Sequence, residues 1–228
     1  MTAADGGEGG EEVGAGRPRV LVAARSRHKL AEIRDLLGDL PVDFLSLEEA
    51  GLERREEESG IEVHDTFDAN AVAKARYFRA RSGLPTVADD SGLCVDALDG
   101  GPGVHTKRFA PEEMAERRGR DEANNRWLLE KLEGVPEEER GAHYHCSVAV
   151  EAGDASFVLR GKVHGRIATE PAGDGGFGYD PLFVDPDHGA TFAELPLEVK
   201  QSKSHRAKAF GKLRPWLERL AREASAGR

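Results

Sequence analysis

Pro18-Arg19-Val20-Leu21-Val22-Ala23-Ala24 is a short, almost wholly apolar run, and behind it the apolar positions change period to Leu30, Ile33 and Leu37. The first pattern is that of a buried strand and the second that of an amphipathic helix, with Ser26 standing where an N-cap belongs. A buried strand feeding directly into a helix opens an α/β unit, so the expected class is α/β.

Working outward, residues 1–16 contain six glycines and four acids with no Lys or Arg. That composition cannot bury enough apolar surface to offset ordering, so a disordered tail is expected there and one α/β domain over 17–228. Residues 42–47 form a short apolar piece, and the acidic run at 53–58 reads as a surface loop. Helical spacing over 66–81 places Phe67, Ala71, Val72, Ala75 and Phe78 on one side, closed by Gly83-Leu84-Pro85. Pro85-Thr86-Val87-Ala88 reads as a short strand that ends on Asp89-Asp90-Ser91-Gly92, which would put two carboxylates at a strand's C-terminal end. One helix is expected over 111–133, a hairpin from 142–151 and 156–165, a strand at 181–184, and a last helix over 204–224 bent at Pro215. Together these runs predict a mixed sheet.

The 228 residues suit one large domain or two tightly joined lobes. With 32 basic and 42 acidic residues the net charge is −10, which argues against coating nucleic acid, because the phosphate backbone would be repelled. Cys94 and Cys146 are too few for a disulfide framework and lack zinc-site spacing, so they read as buried thiols of a reducing compartment. No apolar run approaches the ~18 residues of a membrane span and no signal peptide is evident, so the expected location is the cytoplasm, without membrane contact.

Four clusters carry candidate chemistry. Ala24-Arg25-Ser26-Arg27-His28-Lys29 lies at the strand-to-helix junction, where backbone N–H groups, the helix dipole and Lys29 favour an anion; the alternative is a charged helix start facing water. In Asp89-Asp90-Ser91-Gly92 adjacent side chains of an extended chain point to opposite sides, so one acid faces a given site, as a Mg²⁺ ligand or a general base, and the other is structural. The bland reading is an Asp-Ser-Gly turn. Gly173-Asp174-Gly175-Gly176-Phe177-Gly178-Tyr179-Asp180-Pro181 suits a loop that approaches a ligand closely while an aromatic ring stacks on a base, or simply a tight turn before the strand at 181–184. Lys200-Gln201-Ser202-Lys203-Ser204-His205-Arg206 puts cations at an expected helix N-terminus, against the dipole, a conflict that an anionic ligand would resolve. His143 and His145 share one strand face and read as solvent-side residues.

These motifs, with Asp96-Ala97-Leu98, Gly101-Pro102-Gly103-Val104, Arg108 and Ala193-Glu194-Leu195, resemble the inosine triphosphate pyrophosphatase family in order and spacing from about Val20 to Leu220. The resemblance implies two lobes of an elongated mixed sheet with the active site in the cleft between them. It also implies a homodimer that cleaves ITP, dITP and XTP between the α- and β-phosphates, using Mg²⁺, as a house-cleaning activity. By that resemblance Asp90 is the general base and a metal ligand, Ser91 contacts substrate, and Phe177, Gly178, Tyr179 and Asp180 hold the base with Lys200 nearby. His205 and Arg206 would read the 6-keto group, since donors there reject an amino group by leaving polar atoms unpaired.

The resemblance also implies a metal-binding glutamate, which falls on Glu62 when read without gaps from Thr66-Phe67 and Asn70-Ala71, while Glu58-Ser59-Gly60 matches the family's Glu-x-Gly form across an extra loop segment; Glu62 is preferred. Lys74 matches a lysine directed at the triphosphate. The first phosphate loop departs from the family pattern: Ala24 and Ser26 stand where a hydroxyl and an amide are usual, Lys29 is kept, and Arg25 or Arg27 would have to supply compensating charge. Two other readings stay open, a pyrophosphatase for other modified nucleotides and a catalytically weak nucleotide-binding relative.

Overall fold

The computed structural model describes residues 17–153 and 155–226, and the tail expected at 1–16 lies outside the described residues. β1 (Arg19–Val22) enters α1 (Arg27–Leu37), where the Ser26 hydroxyl accepts from the Lys29 amide at 3.4 Å as the N-cap. β2 (Asp43–Leu45) follows and pairs parallel to β1. A 3₁₀ turn at Glu56–Gly60 then leads to α2 (Phe67–Ser82), capped by Thr66 and ended by Gly83 in the left-handed region.

β3 (Thr86–Val95) is ten residues long and buried throughout. A 3₁₀ segment at Gly103–Arg108, α3 (Glu112–Arg118) and α4 (Arg120–Lys131) separate it from the long hairpin of β4 (Gly141–Ala152) and β5 (Ala155–Ile167). β6 (Phe183–Asp185), β7 (Ala190–Thr191), α5 (Leu197–Lys203), α6 (His205–Gly211) and α7 (Arg214–Ala226) complete the chain. One seven-stranded mixed sheet results, in the order β2-β1-β3-β4-β5-β6-β7.

Val87 and Ala88 belong to the cores built around β1, with α1, α6 and α7 on one face of the sheet and α2 on the other. Leu93 and Val95 belong instead to a second core with Leu128, Leu132, Tyr144 and Phe183. Asp89-Asp90-Ser91-Gly92 therefore falls where one lobe's core gives way to the other's.

The carboxylates sit in mid-strand, which corrects the expectation that β3 ends on them. β1 pairs with β3 only at Leu21↔Thr86 and Val22↔Val87, but β4 pairs with it from Thr86↔Glu151 to Val95↔Ala142. Ten antiparallel partners on one edge override the local turn preference of Asp-Ser-Gly, while the other edge loses its neighbour just before the acids.

Two expected helices are each divided. Gly119, at φ 86°, splits residues 111–133 into α3 and α4; only glycine takes that conformation without steric penalty. The expected last helix, 204–224, becomes α6 and α7, with Pro215 as the second residue of α7, where its missing N–H has no helical acceptor to lose. Lys200 to Lys203 lie in α5, so their positive charges stand at that helix's C-terminal end, where the dipole favours them.

Candidate active site

Alternation along β3 sends Asp89 and Asp90 to opposite faces of the sheet. The Lys29 Nζ donates to Asp89 Oδ2 at 2.7 Å, and the Arg206 guanidinium stands 3.7 Å from the same oxygen. Burial alone would raise the Asp89 pKa, but Lys29, Arg206 and Lys74 together hold it far below the usual carboxylate range. Arg206, almost fully buried, also pairs with Glu32 of α1 and donates to Ser91 Oγ at 3.4 Å. The conflict of cations at a helix start is thus answered from within, by Glu32 and Asp89. His205 beside it stacks on Tyr144 with ring centroids 4.8 Å apart, and its buried Nδ1 has no hydrogen-bond partner among the described residues. Burial, then the nearby Arg206 and Lys29, push its pKa well below the ordinary histidine value, so the ring is neutral.

Asp90 faces α2. Asn70 Nδ2 donates to its Oδ2 at 3.0 Å and the Ser91 amide to its Oδ1 at 3.1 Å, which fixes the carboxylate plane. Burial raises the Asp90 pKa, Lys74 and Lys29 oppose this, and the negative charge of Glu62 adds to the rise. Glu62 is paired with Lys74. Burial would raise the Glu62 pKa, but Lys74 and Lys107 bring it down. Lys74 is pulled down by burial, yet Asp89 and Glu62 leave its pKa raised.

Glu58 is committed elsewhere: Arg25 donates to it at 2.7 and 3.0 Å and Arg81 at 3.1 Å. Of the two glutamates, Glu62 bears on Asp90 through its charge, while Glu58 is held in a guanidinium clamp. The same clamp occupies Arg25, which also donates to the Leu52 carbonyl at 2.9 Å. No group of three or more His, Cys, Asp or Glu side chains forms a metal cage among the described residues. A pair of carboxylates fits Mg²⁺, which keeps most of its waters and takes few protein oxygens alongside substrate phosphates.

Two cavities adjoin here; Glu58, Glu62 and Asp89 line the smaller, and Asp90 lines neither. A chamber of about 380 Å³ is lined by Ser26, Ser91, Phe177, Gly178, Tyr179, Asp180, Lys200, His205 and Arg206, bringing the base-side candidates together. A smaller one of about 190 Å³ is lined by Ala24, Arg25, Glu62, Lys74 and Asp89. Lys29 and Lys107 line both. Around the larger chamber Lys200 donates to Asp180 at 2.6 Å and lies 4.9 Å from the centre of the Phe177 ring. The Gly178 peptide is held at both ends, its N–H by Asp121 and its carbonyl by Asn125, each at 2.9 Å. Tyr179 donates to the Thr106 carbonyl at 2.8 Å.

Lys107, Thr106, Asp121, Asn124, Glu32 and Tyr144 were not singled out from sequence. Lys107 carried a weak signal, an adjacent cation at Arg108 ahead of Pro111; the others are ordinary helix and strand residues until the fold assembles them. Cys94 and Cys146 are free and buried, as expected.

A profile of the Ham1 family matches residues 20–216. The chain is 46% identical over 200 residues to a dITP/XTP pyrophosphatase of Geobacter sulfurreducens, covering 87% of this chain and 96% of that protein. It is 44% identical over 207 residues to a dITP/XTP pyrophosphatase of Nocardia farcinica, covering 89% and 96%. Among solved structures, a HAM1 protein from Coxiella burnetii superposes with a TM-score of 0.77 at 36% identity, over 89% of this chain and 99% of that one. A nucleoside-triphosphatase / dITP/XTP pyrophosphatase from Mycobacterium abscessus gives 0.67 at 40% identity, over 86% and 99%.

Proposed function

The chain belongs to the Ham1 family, and from that premise we infer that it is a nucleoside triphosphate pyrophosphatase, hydrolysing dITP, ITP and XTP to the monophosphate and pyrophosphate. The observation that carries the site assignment is the pair of joined cavities. The larger supplies an aromatic ring and buried polar nitrogens, and the smaller supplies cations beside the carboxylates of Glu58, Glu62 and Asp89. In the proposed pose the purine occupies the larger chamber against Phe177, and the polyphosphate passes Lys29 and Lys107 into the smaller.

Selection falls to His205 and Arg206. Arg206 is a permanent donor and, like the His205 Nδ1, its Nε has no hydrogen-bond partner among the described residues. A 6-keto oxygen accepts from such donors, whereas the 6-amino group of adenine leaves a buried donor unpaired, a penalty of about 1–3 kcal/mol.

Mg²⁺, held by Glu62 and Asp90, would neutralise phosphate charge and draw electron density from the α-phosphorus. Asp90 acts as general base. A water oxygen attacks the α-phosphorus, its proton passes to Asp90, and the bond to the α–β bridging oxygen breaks to release pyrophosphate. The raised pKa makes Asp90 a stronger base than an exposed carboxylate, and Asn70 keeps it aimed. Lys29 and Lys74 stabilise charge that develops on the phosphates. We further propose, on the family resemblance, that the protein works as a homodimer in the cytoplasm. Among the described residues no helix is long and apolar enough to cross a membrane.

Pyrophosphate release from ITP, XTP, dITP and ATP, each with Mg²⁺ and with chelator, tests this reading. Release from the keto-purine substrates that depends on metal is expected. Equal rates for ATP and ITP would remove the keto-reading role of His205 and Arg206, and undiminished release under chelation would remove the metal.

A further inference from the structure

Four of the six residues 173–178 are glycine, so the segment that carries Phe177 to the larger chamber has little conformational preference of its own. Its shape has to come from what holds it. Inside the loop, the Phe177 N–H donates to Asp180 Oδ2 at 2.8 Å and the Asp180 N–H to the Phe177 carbonyl at 3.3 Å. These bonds close the turn, and the residue between the two aromatic rings, Gly178, is set from outside. It has φ 63°, and a Cβ there would meet no atom of the described residues within 4 Å, so glycine is required by the backbone and not by space.

The outside partner is α4. Asp121 and Asn125 stand about one helical turn apart on it and share a face. Asp121 Oδ2 accepts from the Gly178 N–H and Asn125 Nδ2 donates to the Gly178 carbonyl, each at 2.9 Å. The two bonds fix the peptide planes on either side of Gly178, and hence how the Phe177 and Tyr179 rings stand to each other. Asn125 is half-buried and its Oδ1 has no hydrogen-bond partner among the described residues. A leucine would fill that space without stranding an acceptor, so what the amide adds is its bond to Gly178. The same helix holds the 3₁₀ segment at Gly103–Arg108: Asn124 Nδ2 donates to the Thr106 carbonyl at 3.3 Å, which also accepts from the Tyr179 hydroxyl at 2.8 Å.

We propose that α4 is the clamp of the base-binding loop and that Asp121 and Asn125 are positioning residues, which act on the nucleotide through Phe177. The identity of the ligand rests on the pyrophosphatase reading, whereas the hold on the loop does not. An aromatic face stacks on any base, and keto reading belongs to His205 and Arg206 on α6. The clamp therefore governs how tightly a purine is held and leaves alone which purine is preferred. That is uniform binding, which appears in KM rather than kcat.

Hydrogen exchange of the loop in the nucleotide-free protein, together with steady-state kinetics on ITP and ATP, tests this. Asp121→Ala removes the acceptor, and Asn125→Asp sets a carboxylate against the Gly178 carbonyl. Each is expected to speed exchange at Gly178 and to raise the KM for ITP by about fivefold to tenfold, the factor one net hydrogen bond represents, with kcat held. The ITP-to-ATP ratio of kcat/KM should stay at its wild-type value. Asp121→Asn keeps an acceptor oxygen and loses only the charge, so it should behave as wild type; a carboxylate that merely complemented the α4 dipole would not be rescued in this way. Asp121 is exposed and Asn125 half-buried, so neither change opens the core. Wild-type exchange in both Asp121→Ala and Asn125→Asp would overturn the clamp. Faster exchange with an unchanged KM, or with a changed ITP-to-ATP ratio, would overturn its role in binding. Failure of the wild-type chain to release pyrophosphate from ITP would instead overturn the pyrophosphatase reading, and the exchange result alone would then decide the clamp.

Discussion

Asp89 and Asp90 are adjacent, chemically identical and shifted in opposite directions. Because the folded state stabilises the charge on Asp89 and strains against the charge on Asp90, their removal should have opposite consequences. Asp89→Ala leaves Lys29 and Arg206 buried without their shared acid, and a loss of about 3–5 kcal/mol is expected in chemical denaturation. Asp90→Asn keeps the Asn70 contact region filled and removes a charge that burial opposes, so its stability should equal or exceed wild type. Its kcat for ITP should fall by about 10²–10⁴-fold. Equal destabilisation in the two variants, or substantial turnover by Asp90→Asn, contradicts the division of labour. The sequence already contained this contrast in outline, since two neighbours on an extended chain cannot face one site. It did not contain which cation answers which acid: Lys29 is 60 positions from Asp89, and Arg206 is 117 away.

At the scale of elements, α6 carries His205 and Arg206 and is seated directly on β5. A Cβ at Gly161 would stand 2.2 Å from the His205 carbonyl oxygen and 2.5 Å from the Ala209 nitrogen. Gly161→Ala must therefore lift α6, an overpacking cost of about 1–3 kcal/mol. The prediction is a fall in the ITP-to-ATP ratio of kcat/KM with pyrophosphate affinity unchanged, since the smaller cavity contains no residue of α6. Retention of full discrimination would show that α6 tolerates the shift. Elements were legible to the extent that their signals are local. β1, α1, α2 and the β4–β5 hairpin follow from periodicity and caps, whereas the full length of β3 depends on pairing with β4, and periodicity alone did not reveal the break at Gly119. The segment from Lys200 to Arg206 is the clearest case. Its local conflict was real, but it was resolved by a helix boundary at Ser204 and by buried acids rather than by a ligand alone.

For the whole molecule, pH couples folding to several histidines at once. Burial, then Lys162, lowers the His145 pKa from 6.5 to about 4, and His143 and His205 are lowered as well. A depressed histidine is neutral when folded and takes up a proton on unfolding below its ordinary pKa. Stability is thus fully present above about pH 6.5 and falls as the pH drops toward 4. His145→Asn should flatten the decline in denaturation midpoint between pH 7 and pH 4.5; an unchanged slope would assign that decline to other groups. The proposed homodimer is checked by sedimentation equilibrium, where twice the chain mass is expected and a single-chain mass at micromolar concentration contradicts it.

The shared wall at Lys29 and Lys107 has a consequence for how a turnover ends. A triphosphate that spans both cavities is a tethered bivalent ligand, each end raising the effective concentration of the other. Hydrolysis of the α–β bond cuts the tether at the wall. In the proposed pose the monophosphate and the pyrophosphate each keep one set of holds and lose the avidity that joined them, so the reaction loosens its own products.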